Sequence, residues 1–121
     1  APSAQAASEQ SRLIGQVMRL LEKSFGEAFD ADSVNAARFA VHLRYFLVRA
    51  RTAVQIEDGT SSLVAEALRV SDPDAYRVAR RIRDLLEIRL NTAVTDDETA
   101  YLALHVARLT SSLQQATQSD A

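Results

Sequence analysis

The chain contains no cysteine, which excludes disulfides, thiolate metal sites and cysteine nucleophiles. It has only three glycines and two prolines, so the residues that usually mark turns and strand ends are scarce. No apolar run approaches the roughly 20 residues of a membrane-spanning helix, and the first residues lack the pattern of a secretory signal. We therefore expect a soluble cytoplasmic protein that does not insert into a membrane.

The chain also lacks an excess of positive charge. Its 14 basic residues face 16 acidic ones, which gives a formal net charge of -2 and a pI near 5.6. Proteins that bind the phosphate backbone of nucleic acids normally carry a clear basic excess. The composition therefore argues against direct contact between this chain and RNA or DNA.

Apolar residues, by contrast, are abundant and regularly spaced. They make up 47% of the 121 residues, enough for the core of one domain, and they recur at intervals of three and four. This spacing is typical of amphipathic helices joined by short connections. We predict an all-α fold, a compact five-helix bundle of antiparallel helices that span about Ser8 to Phe25, Val34 to Val54, Ser62 to Arg69, Pro73 to Leu90 and Thr95 to Leu113.

Local signals support two of the helix starts. Asp72 precedes Pro73, and this pair is typical of a capped helix with proline in its first turn. Thr95 and Glu98 have the spacing of a capping box, in which each side chain binds the backbone amide of the other residue. The polar ends predict a linker or disordered segment at 1–11 and a flexible tail at 114–121, on either side of a domain at 12–113.

The two histidines lie within apolar helical strings, FAVHL around His42 and YLALHV around His105. At 100° per residue, Arg38 and Arg49 share a sector of the second helix with His42, and Arg108 follows His105 by one turn. A neighbouring guanidinium lowers the pKa of an imidazole, keeps the ring neutral and nucleophilic, and can bind an oxyanion placed on it. The pattern therefore meets the requirements of a phosphohistidine site.

Other interpretations of the histidines stay open at this point. Each histidine, taken alone, also fits a partly buried side chain that packs and forms a hydrogen bond. A zinc site is disfavoured because HExxH is absent and the flanking arginines repel a cation. The chain has neither G-x-S-x-G nor a glycine-rich phosphate loop, so we expect no enzymatic activity, no metal and no cofactor.

Order and spacing then suggest a family. The string HL-x5-R from His42 to Arg49, Tyr76 after the Asp72 start signal, and DE-x-x-YLALH ending at His105 occur in this sequence. Together they resemble the PTS regulation domain of bacterial sugar-operon antiterminators and related activators. The resemblance extends over about Leu13 to Leu113.

The resemblance implies a five-helix bundle that forms a homodimer. His42 and His105 match the family's phosphoacceptors, which receive phosphoryl groups from HPr and from sugar-specific enzyme II components of the phosphotransferase system. It also implies that RNA is bound only through a separate domain, and Val41 before the histidine resembles the second of the two copies usual in such regulators. We hypothesise that Arg38, Arg49 and Arg108 support the phosphate.

Two alternatives to the antiterminator remain. The same domain occurs in DNA-binding transcriptional activators, and the residues of this chain do not distinguish the two outputs. The domain is also compatible with a purely structural role in dimerisation, in which the histidines only pack. Phosphorylation of the histidines separates the regulatory role from the structural one.

Overall fold

The computed structural model describes the backbone of residues 4–52, 54–55, 58–59 and 61–119, and the side chains of these residues up to position 110. Within that part the chain forms helices and no strand, which confirms the predicted all-α bundle. None of these helices is long and apolar enough to span a membrane. The helices are α1 (Ala4–Phe25), α2 (Val34–Arg51), α3 (Ser61–Ser71), α4 (Pro73–Leu90) and α5 (Asp96–Ser119), with a 3-10 turn at Gly26–Ala28 after α1.

The helices differ from the predicted spans mainly at their ends. α1 begins at Ala4 instead of Ser8, since the run of alanine and glutamine before Ser8 has high helix propensity. α5 continues to Ser119, six residues beyond the predicted end at Leu113. Parts of the predicted linker and tail are therefore helical. Residues 1–3 and 120–121 of those segments lie outside the described residues, and the division into linker, domain and tail stays a prediction.

The core is built from the apolar stripes of α1, α2, α4 and α5. Burying one large apolar side chain contributes about 1.5–3 kcal/mol, so this shared interior provides most of the stabilisation that opposes chain entropy. α5 packs against α2, α3 and α4, and this places the middle of α5 beside the middle of α2. The largest fully buried apolar side chains are Val17, Leu21, Phe39, Leu43, Phe46, Leu47, Ile82, Leu86, Leu102 and Val106.

The loop after α2 is tied to the start of α5 through Gln55. Its Nε2 donates to the carbonyl oxygen of Ala93 at 2.8 Å, and its Oε1 accepts from the amide of Thr95 at 2.9 Å. The Thr95 hydroxyl accepts from the amide of Glu98 at 3.1 Å, which confirms that half of the capping box. Within the described part of the chain, the Thr95 amide donates to Gln55 and not to Glu98, and the buried Glu98 carboxylate accepts from Arg49.

Asp97 connects the same turn of α5 to the start of α3. Its carboxylate accepts from the amide of Gly59 at 3.0 Å and from the amide of Ser61 at 2.8 Å. These backbone hydrogen bonds are the main reason that the pKa of Asp97 is lowered. The hydroxyl of Tyr101 donates to Asp58 at 2.9 Å, so the loop is held against α5 at several points.

Candidate functional site

The packing of α2 against α5 brings the two histidines into direct contact. The ring centroids of His42 and His105 are 4.2 Å apart, and the ring planes are inclined by 31°. Both side chains are partly buried. Two residues that are far apart in sequence therefore form one imidazole pair.

One side of this pair packs against a buried aromatic ring. Phe39 is fully buried and presents its ring edge-to-face to His105, with 6.3 Å between centroids and 70° between planes. Because Phe39 precedes His42 by three residues on α2, the same helix face provides both contacts to His105. The hydrophobic neighbour excludes water from the pair and disfavours a charge on it.

An ion pair between α2 and α5 lies beside the histidines. Nη2 of Arg49 donates to both carboxylate oxygens of Glu98, at 2.9 Å and 3.2 Å. The Glu98 side chain is 0% exposed, and that of Arg49 is 29% exposed. Burial of the carboxylate requires such a partner, because an uncompensated buried charge is strongly destabilising.

The structure separates the three arginines that the sequence associates with phosphate. Arg49 and Arg108 influence the imidazoles electrostatically, whereas Arg38 is exposed one turn before His42 and contributes to neither pKa. Arg108 is also exposed, and its carbonyl oxygen accepts from Nδ2 of Asn35 at 3.3 Å. The phosphate-supporting roles of these arginines remain predictions.

Sequence reasoning missed the part that Glu98 plays at the site. Its position two turns before His105, on the same face of the fifth helix, was the available signal. The capping-box motif gave this residue a local role at the helix start, and the carboxylate instead pairs with Arg49 of α2. A motif that fits local geometry therefore concealed a tertiary contact.

The folded structure lowers the pKa of both imidazoles and so favours their neutral form at pH 7. Burial is the main cause of the lowered pKa of His42, the charge of Arg49 adds to it, and Glu98 opposes it. For His105, burial is again the largest cause, and the charges of His42 and Arg108 lower the pKa further. Together they bring it from 6.5 to about 4. The predicted effect of arginine is present, but loss of water is the larger cause.

Two nitrogen atoms at the site are buried without a hydrogen-bond partner among the described residues. They are Nε2 of His42 and Nε of Arg49. Buried polar atoms in native proteins are almost always paired, so each such atom needs an explanation. Both side chains lie at the contact between α2 and α5, so a polar partner for either atom must enter between these two helices.

The free energy of unfolding should decrease as the pH is lowered, because the two histidines resist protonation in the folded state. The unfolded chain takes up protons near pH 6.5, whereas folded His105 does so only near its pKa of about 4. The contribution is complete above the unfolded pKa and is lost as the pH falls through this window. Between about pH 7 and pH 5 we expect a loss of about 1 kcal/mol, allowing for solvent screening of a partly exposed ring.

Denaturant unfolding at a series of pH values measures this dependence. The variant His105→Gln removes the titrating group, so its free energy of unfolding should vary less over the same range. Equal slopes for the wild type and the variant would show that His105 is not the source.

Comparison with known proteins gives a consistent result. A family model described as PRD domain matches residues 15–109. The PtsGHI operon antiterminator of Bacillus subtilis (strain 168) is 26% identical over 106 residues, which cover 88% of this chain and 37% of that protein. The beta-glucoside operon antiterminator of Dickeya chrysanthemi is 25% identical over 109 residues, which cover 88% of this chain and 38% of that protein.

A third relative is similar to a comparable extent. The transcription antiterminator LicT of Bacillus subtilis (strain 168) is 22% identical over 99 residues, which cover 82% of this chain and 35% of that protein. The chain thus spans a little over a third of the length of these relatives.

Proposed function

Because this chain belongs to the PRD domain family, we propose that it is the regulatory domain of a cytoplasmic transcriptional antiterminator, phosphorylated on His42 and His105 by phosphotransferase-system proteins. The observation that carries this proposal is the pair of adjacent imidazoles, 4.2 Å apart, whose pKa values are both lowered. The donors are HPr and the sugar-specific enzyme II components. The domain regulates and does not itself catalyse a reaction.

The chemistry requires a neutral acceptor and a positive environment. A ring nitrogen with a free lone pair attacks the phosphorus of a donor phosphohistidine, and the electron pair of the broken P–N bond stays on the donor nitrogen. The product carries about two negative charges and several acceptor oxygens. Arg49 and Arg108, with Arg38 at the exposed end, then form charge-assisted hydrogen bonds to the phosphoryl oxygens.

The outer face of α2 supports a homodimer whose stability depends on this charge. Val41, Tyr45 and Val48 are 50%, 64% and 50% exposed, and their spacing of four and three places them on one helix face. A contiguous exposed apolar stripe marks a protein interaction surface. Since His42 and Arg49 each directly follow a member of this stripe, a phosphoryl group between them changes the charge at the edge of the dimer interface.

The remaining features of the proposal concern the longer protein. RNA is bound by a separate domain, which accords with the net charge of -2 of this chain. Val41, where an acidic residue is usual before the first histidine of a first copy, supports the assignment as the second copy. Sugar supply then sets the phosphorylation state, and the phosphorylation state sets dimerisation and operon expression.

Reconstitution tests the proposal directly. The chain is incubated with phosphoenolpyruvate, enzyme I and HPr, with and without an enzyme II component, and its intact mass and its molar mass by light scattering are measured. We expect an acid-labile phosphoryl group and a change in dimer content, both absent from a variant with His42→Gln and His105→Gln. Failure of every donor to label the folded wild-type chain would assign the domain a structural role.

A further inference from the structure

We propose that a cavity between α1 and the C-terminal ends of α2 and α4 binds a small hydroxylated phosphate ester. The cavity has a volume of about 340 Å³, and each of the three helices contributes one arginine to its lining: Arg12, Arg51 and Arg89. We call it the arginine cavity. Its lining includes neither histidine, and Arg51 follows His42 by nine residues, about 14 Å along the axis of α2. This ligand site is separate from the imidazole pair and goes beyond the proposed function.

The protein does not neutralise the positive charge at the arginine cavity. In the part of the chain that the structure describes, none of its three arginines forms an ion pair. Glu9 also lines the cavity, one turn before Arg12, but these two side chains do not pair with each other. Three guanidinium groups and one carboxylate leave a formal excess of two positive charges. Because like charges around one cavity repel each other, an anion that enters it relieves this repulsion.

The ends of the helices account for only part of this arrangement. Arg51 and Arg89 lie in the last turns of α2 and α4, where positive charge compensates the partial negative charge of the helix end. Arg12 lies well inside α1, so it has no such role. Its place in the lining, with no carboxylate partner in the described ranges, indicates a ligand that arrives from outside the chain.

The chemistry of the lining favours a phosphate ester over a simple anion. A phosphate monoester carries about two negative charges near neutral pH, which matches the formal excess, and the planar guanidinium group fits its oxygens with two parallel hydrogen bonds. Glutamine side chains donate to and accept from hydroxyl groups, and leucine side chains provide apolar contact. The cavity lies at the small end of the range of small-molecule sites, about 300–1,000 Å³. These other lining residues are Gln10, Leu13, Gln16, Leu47 and Leu90.

Titration calorimetry on the unphosphorylated chain tests the proposal with two esters of different size, glycerol 3-phosphate and glucose 6-phosphate. We expect saturable binding of at least one of them, with one ester per chain and tighter than inorganic phosphate, because inorganic phosphate makes no use of the glutamines and leucines. Glycerol and glucose should not bind. The bound ester should also raise the unfolding midpoint as its concentration increases. Absence of saturable binding by both esters, or equally tight binding of inorganic phosphate, overturns the proposal.

Variants with matched charge locate the ester. Arg12→Gln combined with Arg89→Gln should weaken binding about tenfold or more, as expected when charge-assisted hydrogen bonds are removed. Arg19→Gln combined with Arg44→Gln lowers the net charge equally outside the cavity and should change the affinity by less than about twofold, because salt screens distant exposed charges. All four arginines are exposed, and the unfolding midpoint without ligand checks that each variant is folded. Equal losses in the two double variants would attribute binding to overall charge and overturn the proposal.

A substitution in the opposite direction should strengthen binding. Glu9→Gln removes the carboxylate from the arginine cavity, and the affinity should increase about threefold. Glu22→Gln alters an exposed glutamate of α1 outside the cavity and should leave the affinity unchanged. Weaker binding by Glu9→Gln would contradict an anionic ligand at this place.

Two further measurements exclude other binding sites and another source of the phosphate. The variant with His42→Gln and His105→Gln should bind the esters as the wild type does, and a loss there would place the anion at the imidazole pair. Vesicles that contain phosphatidic acid present the same phosphate on a membrane. Sedimentation of the chain with these vesicles, without binding of either free ester, would overturn the assignment to a small free ligand.

Discussion

Replacing Arg49 with methionine should lower the free energy of unfolding by about 2–3 kcal/mol. The substitution removes both hydrogen bonds that Nη2 donates to Glu98, whose side chain is 0% exposed. Methionine retains the apolar part of the side chain but provides no charge for the buried carboxylate. The estimate is at the lower end of values for buried pairs because Arg49 is 29% exposed.

Two further variants isolate the cause. Arg44→Met alters an exposed arginine of the same helix that makes no ion pair among the described residues, so it should change stability by less than about 0.5 kcal/mol. The double variant Arg49→Met with Glu98→Gln replaces the buried carboxylate with a neutral amide and should recover part of the loss. Denaturant unfolding compares all four chains. Equal midpoints for Arg49→Met and Arg44→Met would contradict a stabilising ion pair.

The same substitution should also change the acid–base behaviour of His42. Arg49 lowers the pKa of His42 and Glu98 raises it, so removing the arginine leaves the opposing charge in place. The pKa of His42 should therefore rise, and the ring becomes a poorer nucleophile near neutral pH. Histidine NMR titration of Arg49→Met against Arg44→Met measures this shift separately from stability.

Replacing Phe39 with alanine should cost about 3–5 kcal/mol, the usual range when a buried aromatic ring is removed from a core. Phe39 is 0% exposed, and its ring contacts that of His105. The resulting cavity admits water next to His105 and weakens the burial that lowers its pKa to about 4. We expect the pKa of His105 to move back toward 6.5 as stability falls.

Phe46 provides the matched control. It is also 0% exposed on α2, one helical turn after His42, and no ring contact joins it to either histidine among the described residues. Phe46→Ala should therefore lose a similar free energy of unfolding and leave the pKa of His105 nearly unchanged. If both variants shift the pKa of His105 equally, Phe39 is not the residue whose packing shields His105 from water. Phe39→Leu leaves a smaller cavity and serves where the alanine variant does not fold.

The helices of this chain are predictable from sequence because their apolar residues repeat at helical spacing and their starts carry local signals. Asp72 accepts from the amide of Ala75 at 3.1 Å, as its place before Pro73 predicts. The capping-box prediction was half wrong for a physical reason. Gln55, forty residues earlier in the chain, satisfies the Thr95 amide, and no local spacing reveals such a distant partner.

The histidines and two of the arginines at the site were predictable, but the role of Glu98 and the arrangement of the site were not. Helical spacing places Arg49 near His42 and Arg108 near His105, and both arginines act on those rings. The contact between the two rings depends on how α2 and α5 pack, and periodicity within either helix contains no information about that packing. Burial, the largest cause of both pKa changes, likewise arises only when the helices assemble.

Two consecutive residues of α5 point to different parts of the fold. Glu98 holds Arg49 beside the histidines, while Asp97 holds the amides of Gly59 and Ser61 at the start of α3. Any rotation of α5 about its axis that loosens one set of bonds must strain the other, since adjacent residues of a helix move together. Hydrogen exchange at the Gly59 and Ser61 amides should therefore report the chemical state of a histidine pair that neither residue touches.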